Sequence, residues 1–262
     1  DEEIRINNIN FGKKFFLIKD LYGTWTLVQK ITFDDYLKGV LPHEIGSNAP
    51  LEALKAQAVI ARTWGIYNSE RFSMDKYHLC VTTQCQVYKP SSITNKKINK
   101  AIKETSNLIL TYRNKPINSF YHGSNGGITS RASESWKTED MSYFKAKIDG
   151  SQSLNKFLKI PIKNKVDLEK FLDFKKTKFY GTNHRLFRWN KKISRLDIKE
   201  SLIRNKLINE NDNFLDIYVS ERGASGRVTE LVIKMNNPKK SIFLVKDDIR
   251  RIMRFLPSNL FT

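Results

Sequence analysis

The chain has 262 residues, 40% of them hydrophobic, which is enough for a folded core and excludes a disordered protein. Its 46 basic and 27 acidic residues give a net charge of +19, which favours polyanionic partners such as anionic lipid, nucleic acid or an acidic cell-wall polymer. No apolar run reaches the ~18 residues that a membrane-spanning helix needs, and the N-terminus lacks the basic and apolar regions of a signal peptide, so a targeting segment is absent or was removed.

The first predicted element is a β-hairpin over residues 14–32. Apolar and polar positions alternate on both sides of Tyr22 and Gly23, which form a turn signal. The hairpin leads directly into a stretch with a different pattern.

That next stretch combines a predicted loop with the start of a helix. Pro42, Gly46 and Pro50 interrupt the chain, so Glu44 is predicted to lie in a short loop. Asn48 is the predicted N-cap of the following helix, and Pro50 suits its first turn.

The predicted helix is unusually apolar. From residue 56 to residue 66 almost every position is small or hydrophobic, which predicts a helix buried on all sides. Gln57, Arg62 and Thr63 are then polar groups in a buried segment, and each needs a hydrogen-bond partner. We expect them to face a site or to hold a neighbouring loop.

Two cysteines, Cys80 and Cys85, lie close together in a segment, residues 77–88, that is predicted to be extended or a strand. A disulfide, two free thiols and a partial zinc site with His78 are all compatible with this spacing. Zinc would need a fourth ligand, for which Gln84 is a poor substitute. We therefore expect no required cofactor, and a structural role for any zinc ion.

Residues 91–107 have the pattern of an exposed amphipathic helix, and residues 108–112 and 117–121 that of a hairpin. The inward face of the helix is predicted to hold Ile98, Ala101 and Ile102.

A glycine-rich stretch, residues 120–136, follows this hairpin. His122, Ser124 and Asn125 place three hydrogen-bonding side chains at the predicted end of a strand, among glycines that allow close backbone approach. Such loops hold ligands, although glycine-rich turns also occur for steric reasons. The stretch does not match a phosphate-binding loop, which requires a lysine and a strand-to-helix setting.

Residues 151–210 concentrate the positive charge, with 16 lysines and arginines against 6 aspartates and glutamates. The lysine-rich composition of the whole chain explains part of this excess. We predict a basic lobe inserted between two parts of a core, residues 14–150 and 211–262.

After this basic segment, the alternation of apolar and polar positions in residues 214–235 predicts a hairpin that turns at residues 223–226. Residues 241–256 predict a strand and a short helix.

These elements predict an α+β fold of mixed antiparallel sheets around a buried central helix. We assign residues 1–262 to a single domain.

Five separated motifs occur in a fixed order: DDYLKGVLPHE, EALKAQAVIARTW, TTQCQVY, FYHGSNGGITSRASESW and SGRVTELVI. Together they resemble the family of stage II sporulation protein D and the amidase enhancer proteins, from about Thr32 to Thr262. The resemblance is loosest over residues 151–210. It implies an exported protein of the cell envelope or periplasm that acts on peptidoglycan glycan strands. The best-studied branch of the family contains lytic transglycosylases, and the glutamate of the family's LPxE motif falls on Glu44.

The residues suit this chemistry. Glycosidic cleavage needs a proton for the leaving oxygen, and an apolar pocket helps a carboxyl group to keep its proton. Glu44 is therefore the predicted general acid. Ordinary glycosidases use two carboxylates, whereas a lytic transglycosylase uses the sugar's own C6 hydroxyl as nucleophile and can work with one carboxylate.

Candidates for a second acid are Asp34, Asp35 and Glu134, although either aspartate is more typical of a cap or surface group. The predicted substrate-binding residues are Arg62, Gln86, Tyr88, His122, Ser124 and Asn125.

A non-catalytic alternative is a peptidoglycan-binding protein that activates a cell-wall amidase, as the name amidase enhancer implies. It needs the same groove but no protonated Glu44. Nucleic acid is not an expected partner, because the chain has no zinc finger, basic zipper or aromatic RNA-binding strand motif.

Overall fold

The protein is described by a computed structural model. Its described residues are 4–6, 9–10, 15–90, 95–162, 164–174, 178–237 and 241–262. They form two compact units, an N-terminal unit ending at Tyr121 and a C-terminal unit beginning at His122. Helices and antiparallel sheets occur throughout, so the predicted α+β class is confirmed. The single domain with an inserted lobe stays a prediction.

The N-terminal unit contains three helices and three two-stranded antiparallel sheets within its described residues. Its helices are α1 (Phe33–Glu44), α2 (Leu51–Tyr67) and α3 (Lys96–Glu104), and a 3-10 turn spans Ser73–Asp75. Its strands are β1 (Arg5–Ile6), β2 (Ile9–Asn10), β3 (Phe15–Lys19), β4 (Trp25–Gln29), β5 (Thr111–Tyr112) and β6 (Lys115–Pro116). The three helices pack on one another around a core that includes Leu37, Leu54 and Ile98.

The hairpin β3–β4 confirms the first predicted element, although Lys14 lies outside the described residues. Helix α3 confirms the amphipathic prediction, with Ile98, Ala101 and Ile102 buried. The predicted start of that helix at residues 91–94 also lies outside the described part. In hairpin β5–β6 only residues 111–112 and 115–116 pair, so the prediction of a second strand at residues 117–121 was wrong.

Helix α1 corrects the prediction for Glu44, which is the last residue of this helix rather than part of a loop. Thr32 caps the helix by accepting a hydrogen bond from the backbone N–H of Asp35 at 3.1 Å. Pro42 removes one backbone donor but does not end the helix. The fully buried Leu37 and Leu41 hold this segment against the core, which outweighs the local helix-breaking signal.

Helix α2 begins at Leu51, directly after Pro50, which occupies the N-cap position without a side-chain hydrogen bond. The prediction of Asn48 as the cap was therefore wrong. Residues 61–65 are buried without interruption, whereas Glu52 and Ala56 are exposed. The helix is thus buried on all sides only in its second half.

Residues 77–88 form an irregular loop with turns and contain no strand, the first of the two predicted alternatives, strand or extended segment. Cys80 and Cys85 are joined by a disulfide, one of the three states that the sequence left open. A turn inside this ring is closed by the Cys85 N–H, which donates to the Thr82 carbonyl at 3.0 Å. Because both sulfurs are bonded to each other, zinc binding by His78, Cys80 and Cys85 would require the reduced thiols. The absence of a required cofactor stays a prediction.

The C-terminal unit contains four helices and one three-stranded antiparallel sheet among its described residues. The helices are α4 (Ala132–Ser135), α5 (Lys165–Asp173), α6 (Arg195–Arg204) and α7 (Asp247–Ile252), and a 3-10 turn spans Gln152–Lys156. The strands are β7 (Phe214–Arg222), β8 (Val228–Met235) and β9 (Ile242–Val245). This order confirms the predicted hairpin, strand and short helix near the C-terminus.

The basic segment, residues 151–210, contributes to the hydrophobic cores of this unit. Leu202 packs in one core with Phe214 and Leu231, and Leu154 packs in the other with Ile128. The segment thus shares its packing with the residues on both sides of it. Among the described residues, no helix combines the length and apolar character required to span a bilayer.

Candidate functional site

The N-terminal unit contains a cavity of about 260 Å³ beside the end of α1. It is lined by Glu44, Trp64, Thr83, Cys85, Val87, Ser119, Phe120 and Tyr121. Glu44 provides the only carboxylate among these lining residues. The three aromatic rings give the cavity flat walls of the kind that pack against apolar faces of ligands.

Glu44 is half-buried and held from outside its own helix. Its Oε1 accepts a hydrogen bond from the backbone N–H of Val87 at 2.8 Å. Val87 follows the disulfide ring, so the ring and the helix end fix the carboxylate from two sides.

A chain of side-chain hydrogen bonds leads from the core of the unit to Glu44. The Tyr36 hydroxyl donates to Gln86 Oε1 at 3.0 Å, and Gln86 Nε2 donates to the Tyr121 hydroxyl at 3.2 Å. The Tyr121 hydroxyl is thereby free to donate to the Glu44 carboxylate. Because Gln86 Nε2 is the donor to the Tyr121 oxygen, the hydroxyl hydrogen of Tyr121 is available for another acceptor.

Burial raises the pKa of Tyr121 well above its usual range. The hydrogen bond from Gln86 opposes this rise, whereas the negative charge of Glu44 and the hydrogen bond to it add to it. Burial likewise raises the pKa of Tyr36. Both phenols therefore remain protonated near neutral pH and keep their role as donors.

Two predicted sugar contacts, Gln86 and Tyr88, support the site from behind. Gln86 is only 1% exposed, and its side-chain amide is occupied by Tyr36 and Tyr121. The Tyr88 ring stacks on Tyr36 with 5.8 Å between the ring centroids. Burial raises the pKa of Tyr88, and the charge of Asp35 adds to the effect. These positions favour a supporting role over direct contact with a ligand.

Arg62 also has a structural position. It is 4% exposed, and its Nη1 donates to the carbonyls of Thr105 at 2.8 Å and Leu108 at 3.0 Å. Asp34 lies 3.7 Å from its Nη2. Arg62 thus holds the segment after α3, as we expected for a buried polar group of α2. This position does not support the predicted sugar contact.

Thr63 also holds the segment after α3, since its hydroxyl accepts a hydrogen bond from the Leu110 N–H at 2.9 Å. Asp35 pairs with Lys38 at 2.7 Å on the surface of α1 and is not aimed at the cavity lining. Asp34 and Asp35 are therefore surface and capping groups, as the sequence indicated.

The other three predicted contacts, His122, Ser124 and Asn125, belong to the C-terminal unit. Asn125 braces its own turn, since its Nδ2 donates to Asp149 at 2.7 Å and its Oδ1 accepts from the Gly127 N–H at 2.8 Å. Gly127 has a φ of +93°, and an added Cβ would lie 2.7 Å from the Phe179 ring. A glycine is therefore required at this position.

His122 is open to solvent on one side and crowded by protein atoms on the other. This partial desolvation lowers its pKa, and the positive charge of Arg227 lowers it further. Ser124 lies two residues on, and its Oγ accepts a long hydrogen bond of 3.4 Å from the Gly126 N–H. Both side chains line a cavity of the C-terminal unit.

Glu134, the third candidate for a second acid, is buried in the C-terminal unit. Its Oε2 accepts hydrogen bonds from the backbone N–H and the hydroxyl of Ser225. Gly223 packs so closely that an added Cβ would lie 2.5 Å from the carboxyl carbon. This carboxylate therefore braces the turn between β7 and β8.

The sequence analysis did not single out Trp64, Thr83, Phe120 or Tyr121 as site residues. All four lie within the quoted motifs, but none carries a pattern that distinguishes a cavity wall from a core residue. Their role depends on contacts between segments far apart in the sequence.

Two family models match different parts of the chain. Residues 22–112 match the sequence model of the family described as stage II sporulation protein (SpoIID). This match covers about a third of the chain. Residues 130–262, just over half of the chain, match a family described as a domain of unknown function (DUF8618). The chain belongs to that family. The SpoIID match contains Glu44, Trp64 and the disulfide ring.

Three proteins are similar in sequence to part of this chain. An amidase enhancer of Bacillus subtilis is 40% identical over 113 residues, which are 43% of this chain and 15% of the relative. Stage II sporulation protein D of Bacillus subtilis is 32% identical over 134 residues, 45% of this chain and 39% of the relative. An uncharacterised protein of Brachyspira hyodysenteriae is 37% identical over 113 residues, 42% of this chain and 30% of the relative. The chain thus matches well under half the length of each SpoIID relative.

Proposed function

We propose that the protein is a lytic transglycosylase that cleaves peptidoglycan glycan strands, with Glu44 as general acid and then general base. The observation that carries this proposal is the single carboxylate at the cavity of the N-terminal unit, held by the Val87 N–H and faced by the Tyr121 hydroxyl. The similarity of residues 22–112 to the SpoIID family supports the same choice.

In the proposed reaction, the Glu44 carboxyl group donates its proton to the glycosidic oxygen. The bond between C1 and that oxygen then breaks, and positive charge develops on the sugar ring. The C6 hydroxyl of the same sugar attacks C1 and returns its proton to the Glu44 carboxylate. One carboxylate completes the cycle, because the nucleophile belongs to the substrate and no second acid must activate water.

The neighbouring groups of the cavity have distinct proposed roles. The Val87 N–H orients one carboxylate oxygen, and the Tyr121 hydroxyl stabilises the ionised form after proton transfer. Trp64 and Phe120 supply flat apolar surface for the faces of the sugar rings. The disulfide beside this cavity is compatible with an exported protein, and we propose the cell envelope as its location.

The fate of water distinguishes this reaction from hydrolysis. Peptide-stripped glycan strands digested in water labelled with heavy oxygen should yield anhydro-sugar ends without the label, measured by mass spectrometry. Labelled reducing ends would identify a hydrolase and overturn the proposal. Intact strands, under conditions in which a known transglycosylase cuts them, would also contradict it.

A second candidate is a non-catalytic glycan-binding protein that stimulates a cell-wall amidase. The relative named amidase enhancer, at 40% identity, favours it. In this case Glu44→Gln should retain both glycan binding and stimulation of a purified amidase. Loss of strand cleavage together with retained stimulation would assign both activities to one protein.

A further inference from the structure

The C-terminal unit contains a larger cavity, of about 640 Å³, that the proposed reaction does not use. This volume lies within the range of roughly 300–1,000 Å³ that is typical of small-molecule sites. The walls are largely apolar and include Ile198, Ile217 and Met253. The lining also includes polar residues, of which His122, His184 and Asn190 are exposed and form the rim, whereas Ser124 is half-buried.

All charged side chains that line this cavity are basic. They are Arg188, Lys191, Arg227 and Arg250, and no aspartate or glutamate lines it within the described residues. None of the four forms a salt bridge in the described part of the chain. The side chains that line the cavity therefore carry a net positive charge, which Glu134 offsets in part at Arg227.

Two of these cations are fixed by neutral acceptors. Arg188 donates to the carbonyls of Gly126 at 2.6 Å and Leu172 at 3.1 Å, and Arg227 donates to the carbonyl of Ile128 at 3.1 Å. Carbonyl groups orient a guanidinium without cancelling its charge. An anion that enters the cavity thus meets cations that are already in place, which lowers the entropic cost of binding.

The other two cations are at the open side. Arg250 is exposed and has neither a hydrogen bond nor an ion pair among the described residues, and Lys191 donates to the Phe255 carbonyl at 3.0 Å. At the rim, the positive charge of Arg227 contributes to the lowered pKa of His122, after the larger effect of desolvation. This effect is consistent with a positive potential at the entrance.

We propose that this cavity binds a small ligand that combines a carboxylate with an aliphatic portion, such as a short peptide with a free C-terminal carboxylate. The basic groups recognise the carboxylate, and the apolar walls take the side chains. A single negative charge suits the site better than a phosphate, because carbonyl groups already occupy many of the guanidinium donors of Arg188 and Arg227. The proposal does not depend on Glu44 or on its reaction.

The test compares two probes on the full chain by calorimetry: N-acetyl-alanyl-leucyl-alanine with a free carboxylate, and the same peptide as its carboxamide. We expect the acid to bind at least about tenfold more tightly than the amide. Arg250→Gln should weaken binding of the acid at least about fivefold. Arg254→Gln is the matched control, because Arg254 is exposed, lies four residues further on and does not line the cavity.

Equal affinity for the acid and the amide would overturn the proposal, as would no binding of either. An equal loss in Arg254→Gln would show a general charge effect and reject the site. Displacement of the peptide by an equal concentration of inorganic phosphate would reject carboxylate selectivity. If Arg250→Gln fails to fold, the pair Lys191→Gln and Lys192→Gln gives the same comparison, since only Lys191 lines the cavity.

Discussion

Glu44 depends for its orientation on residues far from it in the sequence. The Val87 N–H holds one carboxylate oxygen at 2.8 Å, and the Tyr121 hydroxyl, which accepts a hydrogen bond from Gln86, is the neighbouring donor. A hydrogen bond from a neutral donor to a charged acceptor contributes about 1.5–3 kcal/mol. Tyr121 is therefore the most informative neighbour of the proposed acid.

We expect Tyr121→Phe to reduce the rate of strand cleavage about tenfold, which corresponds to ~1.4 kcal/mol of lost stabilisation. Tyr67→Phe is the control, since Tyr67 is exposed at the end of α2. A wild-type rate in Tyr121→Phe, or an equal loss in Tyr67→Phe, would contradict this role of Tyr121.

Gly39 permits the close packing that places Tyr88 and Tyr36 behind the site. An added Cβ would lie 2.4 Å from both the Lys89 carbonyl and the Tyr88 ring. We expect Gly39→Ala to lower the free energy of unfolding by about 1–3 kcal/mol in urea denaturation, because overpacking forces neighbouring groups apart. Gly123→Ala should change it little, since the nearest atom to its Cβ would be 3.7 Å away. Equal stability of the two variants would contradict this account.

At the scale of elements, the disulfide ring lies next in sequence to residues that contact Glu44 and its neighbours. Residues 80–85 form a closed ring directly before Gln86 and Val87, which both contact the site. The ring limits the freedom of this segment in the unfolded chain. Its effect on stability is therefore separate from its effect on the position of Val87.

We expect the double variant Cys80→Ser, Cys85→Ser to lose about 2 kcal/mol of unfolding free energy, as the loop-entropy relation gives for a ring of this size. Strand cleavage should fall with it, because the donor to Glu44 becomes less fixed. Reducing agent should lower the melting temperature of the wild-type chain but not that of the double variant. A wild-type chain insensitive to reduction would argue against a stabilising role of the bond.

Local patterns predicted some elements well. Helix α3 has both an apolar period and a capping asparagine, Asn95, and the hairpin β7–β8 has alternation around a glycine turn. Local rules failed where distant contacts decide the structure. Burial of Leu37 and Leu41 extends α1 through Pro42, and the disulfide with the Val87 contact shapes residues 77–88.

The same distinction applies to the site. Glu44 was identified through a motif, whereas its partner Tyr121 and the wall residue Trp64 are set by tertiary packing. Arg62 and Gln86 support the structure because both side chains are buried and bonded to other parts of the chain. The sequence shows that these side chains can form hydrogen bonds, but it does not show which backbone or side-chain groups are their partners.

At the scale of the whole molecule, the net charge of +19 affects association more than folding. We expect binding to anionic peptidoglycan sacculi to fall several-fold when the salt concentration rises from about 50 to about 500 mM, since the screening length shortens accordingly. Neutral chitin should show little change in a parallel sedimentation assay. Salt-independent binding to sacculi would show that contacts other than charge dominate.

The central claim is that the Glu44 carboxyl group transfers the proton in glycan cleavage. The most direct measurement compares Glu44→Gln with Glu70→Gln by the yield of anhydro-sugar ends from peptide-stripped strands. Glu70 is exposed in the same unit and away from the cavity lining, so it controls for the loss of one charge. The account predicts at least about a hundredfold loss in Glu44→Gln and a wild-type yield in Glu70→Gln. A Glu44→Gln variant that folds and still forms these ends at the wild-type rate would contradict it.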